Sequence, residues 1–149
     1  MQLPAVGDQV ELTLSLDPAT IRSGAELVGD YNPLHHDEAV AASSRFGGLI
    51  ASGAHTSALL AGVISRGFHN KATTGDGNAG DSYRGAVGVD YSVRFVAPVR
   101  ANRSLRLEWR VVALEKKSSG IIARMEGSIV DTVDSATLVT GKMTILYFN

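Results

Sequence analysis

The stretch GDYNPLHHDEA, residues 29 to 39, sets an acid and an imidazole on one short piece of chain. An Asp and a His form a workable proton-transfer couple. The carboxylate can take a proton from water, and an imidazole, titrating near pH ~6.5 when unperturbed, can accept or donate one. Asp30 and His35 are separated by Tyr31, Asn32, Pro33 and Leu34. Fully extended, that span reaches ~17 Å, so the two can cooperate only if the chain turns between them. Pro33 lacks an N–H, disfavours helix and pushes Asn32 toward an extended conformation. Asn32 can bond back to the backbone in an Asx-type turn. Asn32 and Pro33 are therefore the loop-shaping candidates, and Asp30 and His35 the candidates for chemistry. A purely structural reading uses the same residues, with Asp30 as a cap and His35 packed on a helix. Spacing alone leaves both open.

The rest of the chain must position such a loop. Its 149 residues fit one domain, 1–149, with length enough for a single core. A net charge of −1 argues against nucleic acid as a partner, which would call for a basic excess. There are no cysteines, so disulfides, thiolate catalysis and zinc–cysteine sites are excluded. The opening residues MQLPAVGDQVEL have neither the basic start nor the apolar run of a signal peptide. No apolar segment reaches the roughly 20 residues of a membrane span. The expectation is a soluble cytoplasmic protein.

The two halves differ in period. VELTLSL, 10 to 16, alternates as a strand with one buried face. DPATIRSGAELVGD reads as a helix capped by Asp17, with Pro18 at its first turn and Gly29 at its exit, and with Ile21, Leu27 and Val28 on its apolar face. DEAVAASSRF forms a second, short helix. GGLIASGAHTSALLAGVISRGF, 47 to 68, is the longest apolar candidate, rich in small residues that let a helix lie close on a sheet, and is expected to be central and mostly buried. Segment 69–82 is polar, Gly-rich and aperiodic, a loop. From Gly88 the chain reads β: GVDYSVRFVAPV, SLRLEWRVVALE, IIARMEGSIVDT and ATLVTGKMTILYF, with KKSSG as a turn. Leu105, Leu107, Trp109 and Val111 share one face of the second of these. Helices segregated from an antiparallel run predict an α+β fold with a sheet wrapped around a long central helix, and its free edges favour a dimer.

The text around the opening motif sharpens the choice. GDYNPLHHDEAVAASSRFGGLIASGAHTSALLAG resembles the MaoC-like dehydratases, the hydratase-2 type of (R)-specific enoyl-CoA hydratase. Gly29, Asp30, Asn32, Pro33 and His35 match that family's loop, Phe46 and Gly47 its turn, and Ala51 and Gly53 the start of its helix. GVDYSVRFVAPVRANRSLRLEWRV is similar to its next strand pair, so the resemblance covers roughly residues 15 to 115. It implies the hotdog fold, an antiparallel sheet around a long helix, usually as a homodimer. It also implies reversible water addition across the 2,3-double bond of a trans-2-enoyl thioester, carried by coenzyme A or acyl-carrier protein, to give the (R)-3-hydroxyacyl product. By the same resemblance, Asp30 and His35 hold the water and share the proton transfers, with Asp30 the favoured base. The backbone N–H of Gly53 is the oxyanion donor, since a helix N-terminus presents free donors and a positive dipole end. No cofactor is implied beyond the coenzyme A of the substrate.

Two departures stand out. Many family members have His before the helix-start Gly, where this chain has Ser52. The turn PVRANRSL replaces the family's Pro-Gly-Asp-Thr but keeps Arg100. Ser52, His55, Arg94 and Arg100 are further substrate-binding candidates, the two arginines as partners for coenzyme A phosphates. His36, beside His35, reads as a surface residue. A metal reading would group His35, His36, Asp37 and His55, but adjacent histidines rarely converge on one ion, and no metal is expected. TTGDGNAGD lacks the spacing and closing Glu of a calcium loop. Two alternatives stay in view. A hotdog thioesterase would need a carboxylate in the first turns of the central helix, and ASGAHTSALLAGVIS has none. A non-catalytic acyl-CoA-binding subunit would not need the Asp30/His35 pair.

Overall fold

The computed structural model describes residues 3–69 and 83–148. Strand β1 (Gln9–Ser15) leads into helix α1 (Pro18–Leu27), a 3-10 turn (Pro33–His35), α2 (Glu38–Ser43) and α3 (Gly53–Ile64), which runs on into a π turn (Ser65–His69). Four strands follow: β2 (Gly85–Phe95), β3 (Ser104–Lys117), β4 (Gly120–Asp131) and β5 (Thr137–Phe148). All five join one antiparallel sheet in the order β1-β3-β4-β5-β2. The first strand of the chain thus pairs with a strand from its second half, and α3 packs across one face. This is the α+β hotdog arrangement that the sequence pattern and the family resemblance both imply. Apart from His69, the polar 69–82 segment and its calcium-like motif lie outside the described residues.

The period-2 pattern sorts the two faces of the sheet. Leu105, Leu107, Trp109 and Val111 are buried, joined on the same face by Ala123, Met125 and Ile129 of β4 and Val139, Ile145 and Tyr147 of β5. Arg106, Glu108, Glu126 and Lys142 point the other way, with ion pairs of 3.1 Å for Arg106–Glu108 and 3.4 Å for Lys142–Glu126. Such exposed pairs add little stability, so the outer face is a solvated one.

Trp109 anchors α3 to the sheet. Its indole N–H donates to the Leu60 carbonyl oxygen at 2.7 Å, and the whole residue is buried. The ring needs room, which two glycines provide. Trp109 pairs with Gly127, and Gly127 with Gly141, so the three stand in a row across β3, β4 and β5. A Cβ on Gly127 would fall 2.5 Å from Trp109 Cδ2, and one on Gly141 3.1 Å from Cη2. Tyr91 of β2 leans on the same indole at 6.1 Å and donates its hydroxyl to Ser57 O at 2.8 Å, tying the edge strand to α3. Burial pushes that phenol up to about 12, so it stays a donor.

Two expectations need correction. The long apolar segment starts its helix only at Gly53, and α3 is covered on one side: Thr56, Leu60, Val63 and Ile64 are buried, whereas Ala54, Ala58 and Gly62 are exposed. Small side chains make that exposure cheap in apolar area. On α1, Leu27 and Val28 are not on the buried face. Leu27 is 87% exposed, and the face turned inward is Ile21, Gly24 and Ala25. Gly24 is not the weakness its propensity implies, because the His55 ring of α3 sits directly against it.

Two substitutions test this packing. Gly127→Ala is expected to lower stability by about 1–3 kcal/mol in chemical denaturation, the usual cost of overpacking, and wild-type stability would show that the indole repacks freely. In an open helix, Gly24→Ala would gain about 1 kcal/mol. Here it should lower the melting temperature instead, and adding His55→Ala should restore much of the loss. A stabilised Gly24→Ala protein would contradict the contact.

Candidate active site

The loop begins where α1 ends. Gly29 adopts a left-handed φ of 72°, its N–H bonds Glu26 O at 3.0 Å, and the next N–H, that of Asp30, reaches back to Ala25 O at 2.9 Å. These paired bonds are a Schellman termination, which fixes the direction in which Asp30 leaves the helix. A hydrophobic residue often occupies that position, and here it is a carboxylate.

The next residues fold as their types require. Asn32 is extended, as a residue before proline should be, and its side chain accepts from Leu34 N at 3.1 Å. Pro33 opens the 3-10 turn, whose bond from His35 N to Asn32 O is 3.0 Å. Asn32 thus caps the turn, and Pro33 takes its first position. The turn brings His35 Nε2 to 3.2 Å from Asp30 Oδ2. The imidazole is 8% exposed and the carboxylate 32%, so the pair opens toward solvent on the side of the acid.

A third segment completes the arrangement. Residues 49 to 51 run beside 99 to 101, through Ala51 N to Val99 O at 2.8 Å and Ala101 N to Leu49 O at 3.2 Å. They carry Ile50 O to 2.8 Å from His35 Nδ1. A carbonyl only accepts, so Nδ1 carries a proton and Nε2 is the nitrogen facing Asp30. One residue later, Ser52 donates its hydroxyl to Asp30 Oδ2 at 2.6 Å. Asp30 Oδ1 accepts from Asn32 N at 3.2 Å. The Ser52 hydroxyl, then the Asn32 N–H, then His35 hold the Asp30 carboxyl below its usual range and keep it ionised.

The remaining candidates fall in different places. Gly53 opens α3 beside this group, with the Phe95 ring close by: a Cβ there would lie 3.0 Å from Phe95 Cζ. Ser52 is wholly buried with its hydroxyl on Asp30, which makes it a neighbour of the pair. His55 faces α1, against Gly24. Its Nδ1 is buried without a hydrogen-bond partner among the described residues, and burial pushes its pKa down, which favours the neutral ring. Arg94 pairs with Thr140 on the outer face of the sheet, beside a depression also lined by Glu126 and Lys142, and is turned away from the pair. The Arg100 guanidinium donates to Phe46 O and pins the Phe-Gly turn. Arg94 thus lies on the outer face of the sheet, and Arg100 is held at the Phe46 carbonyl. Among the described residues no three His, Asp or Glu side chains gather as metal ligands. Asp37 caps α2 through Ala39 N and Val40 N.

His36 is more than a surface residue. Its Nε2 donates to Asp30 O at 2.7 Å, its ring stacks on Tyr31 at 6.1 Å, and its own carbonyl accepts from Arg22 Nε at 3.0 Å. Arg22 also reaches Glu38 at 2.5 Å. This brace runs from α1 to α2 around the back of the loop. Its sequence signal was only the adjacency of the two histidines, and nothing in the sequence pattern marks Arg22 or the Ile50 carbonyl.

Comparison with known proteins places the fold. Among solved structures, the R-hydratase PhaJ1 from Pseudomonas aeruginosa is similar at 27% identity with a TM-score of 0.76, over 98% of this chain and 83% of that one. An (R)-hydratase from A. caviae involved in PHA biosynthesis is similar at 26% identity and 0.78, over 99% of each. The HadBC (3R-hydroxyacyl-ACP dehydratase) complex of Mycobacterium tuberculosis shares the fold at 18% identity and 0.76, over 98% of this chain and 99% of that one. No curated protein matches the chain. The MaoC-like domain family matches residues 4–133, across the loop, α3 and most of the sheet, and the chain belongs to that family.

Proposed function

We propose that this protein is an (R)-specific enoyl thioester hydratase, adding water reversibly to a trans-2-enoyl group carried on coenzyme A or acyl-carrier protein. The observation that carries the reading is the Asp30 Oδ2–His35 Nε2 contact beside the first turn of α3, in a MaoC-like chain. The hydratases and dehydratases among its structural neighbours support it.

At 3.2 Å the contact is longer than a charge-assisted bond of about 2.7–2.9 Å. A water bonded to both groups replaces one weak contact with two ordinary ones. With Nδ1 committed to Ile50 O, the ion-pair form has a proton on Nε2 and a bare carboxylate. In hydration Asp30 removes a proton from the water as its oxygen bonds to C3. The C2–C3 π electrons move toward the thioester, and His35 Nε2 delivers its proton to C2. The pair ends as a carboxylic acid and a neutral imidazole, and one proton exchange resets it.

The thioester oxygen gains charge in the transition state and needs donors. The first N–H groups of α3 have no intrahelical partner, and the Ser52 side chain does not cap them, which leaves Gly53 N–H to serve. Phe95 supplies an apolar wall there. Coenzyme A enters only as part of the substrate. The acting form is a homodimer, because edge strand β2 keeps one backbone edge unpaired among the described residues, with Val87 and Val89 exposed; a monomeric mass in solution would remove that part. A thioesterase reading has no support from α3, which carries no carboxylate.

Wild-type protein should bleach the conjugated absorbance of crotonyl-CoA and yield a product heavier by one water. Asp30→Asn and His35→Ala should each cut kcat/KM by on the order of 10²–10⁴-fold while remaining folded. Since the Asp30 pKa is depressed, the loss of activity that its protonation causes should appear only below the usual carboxylate range. Full activity in both variants would sink the role assignment. Tight acyl-CoA binding with no turnover in wild type would instead mark a binding subunit.

A further inference from the structure

Ser is among the best N-cap residues, and Ser52 stands at the N-cap of α3. It nevertheless makes no capping bond, and its hydroxyl turns instead to Asp30 Oδ2 at 2.6 Å from a wholly buried position. A carboxylate offers about four acceptor positions, two on each oxygen. Ser52 and His35 both use Oδ2, and Asn32 N–H uses one position on Oδ1.

We propose that Ser52 is a positioning residue for Asp30: its hydroxyl holds Oδ2 in place beside His35, so that the carboxylate keeps its orientation when a substrate water bonds between the two. The inference rests on the hydratase reading for its kinetic meaning, while its structural content stands apart from turnover. Ser52 also keeps Asp30 ionised, being the largest of the groups that lower its pKa. The titratable groups bonded around Asp30 are His35, through its ring, and His36, through the Asp30 carbonyl; Arg22 is one bond further out, on the His36 carbonyl. From α3 it is Ser52 that meets the carboxylate, at the position where many family members have an imidazole. A hydroxyl does there what it cannot do as a cap: it donates to the acid and leaves the helix N–H groups free for the thioester oxygen.

The test compares wild type with Ser52→Ala, and with Ser52→Gly should the first fold poorly. Carbon-13 NMR of the Asp30 carboxyl, assigned with Asp30→Asn, is followed against pH in the free protein. The midpoint should rise by about one pH unit on losing the hydroxyl, the scale of one hydrogen bond to an ionised group. The acid limb of kcat/KM on crotonyl-CoA should rise with it. kcat should fall about tenfold with KM little changed, and Ser52→Thr, which keeps the hydroxyl, should recover part of the loss. The melting temperature should fall modestly at neutral pH, and the difference from wild type should shrink as pH falls through the Asp30 midpoint, since the lost bond favours the ionised acid. An Asp30 midpoint and acid limb identical in wild type and variant overturn the proposal. A shifted midpoint in a protein that hydrates nothing upholds Ser52 and fails the hydratase reading, so the two are separable.

Discussion

The arrangement depends on a three-residue pairing between the entry to α3 and the link from β2 to β3. Residues 49 to 51 lie against 99 to 101, and through that contact the helical half of the chain is registered on the β half. The same segment delivers the Ile50 carbonyl to His35, and the next residue brings Ser52 to Asp30. Were it displaced by one residue, the imidazole would lose the acceptor that fixes its tautomer and the acid its strongest donor. The loop of residues 29 to 36 could close on its own through the Gly29 termination and the Asn32 turn. It could not by itself choose which ring nitrogen faces the acid.

Around that pairing, rigidity comes from contacts that join layers. Trp109 reaches from β3 over two glycines to the backbone of α3, and Tyr91 does the same from β2. His55 against Gly24 joins α3 to α1, the helix whose end aims Asp30. Arg22 and His36 then brace the loop from behind. The start of α3 is thereby held from the sheet, from α1 and from the loop. This matters because proton transfer is sensitive to sub-ångström placement of donor and acceptor.

Much of this was legible in residue types. The alternation of Leu105, Leu107, Trp109 and Val111 marks one buried face, and the Asp-x-Asn-Pro-x-His spacing marks a closed turn. Both depend on local rules that hold wherever the segment is placed. What could not be read depends on approach between distant segments. Gly24 counts as a helix weakness until the ring of His55, thirty-one residues on, is seen to need its space. The sequence does not say on which side of the sheet Arg94 stands, and strand parity places it on the outer face. Leu27 fits an apolar stripe, yet the helix ends before anything covers it. Ser52 offers the sequence a cap, and only the folded chain shows its hydroxyl going elsewhere.

The bond between His35 Nδ1 and Ile50 O has a consequence for how the protein can change over generations. Its acceptor is main chain, so most substitutions at position 50 leave that oxygen where it is. The location of one ring proton is thus written into the path of the backbone and shielded from most point mutations. The hydroxyl on Asp30 has no such shelter, since one codon change removes it. Two supports of the same pair therefore differ in mutability: the tautomer is inherited with the fold, whereas the ionisation of the acid is free to be retuned by whatever side chain stands at position 52.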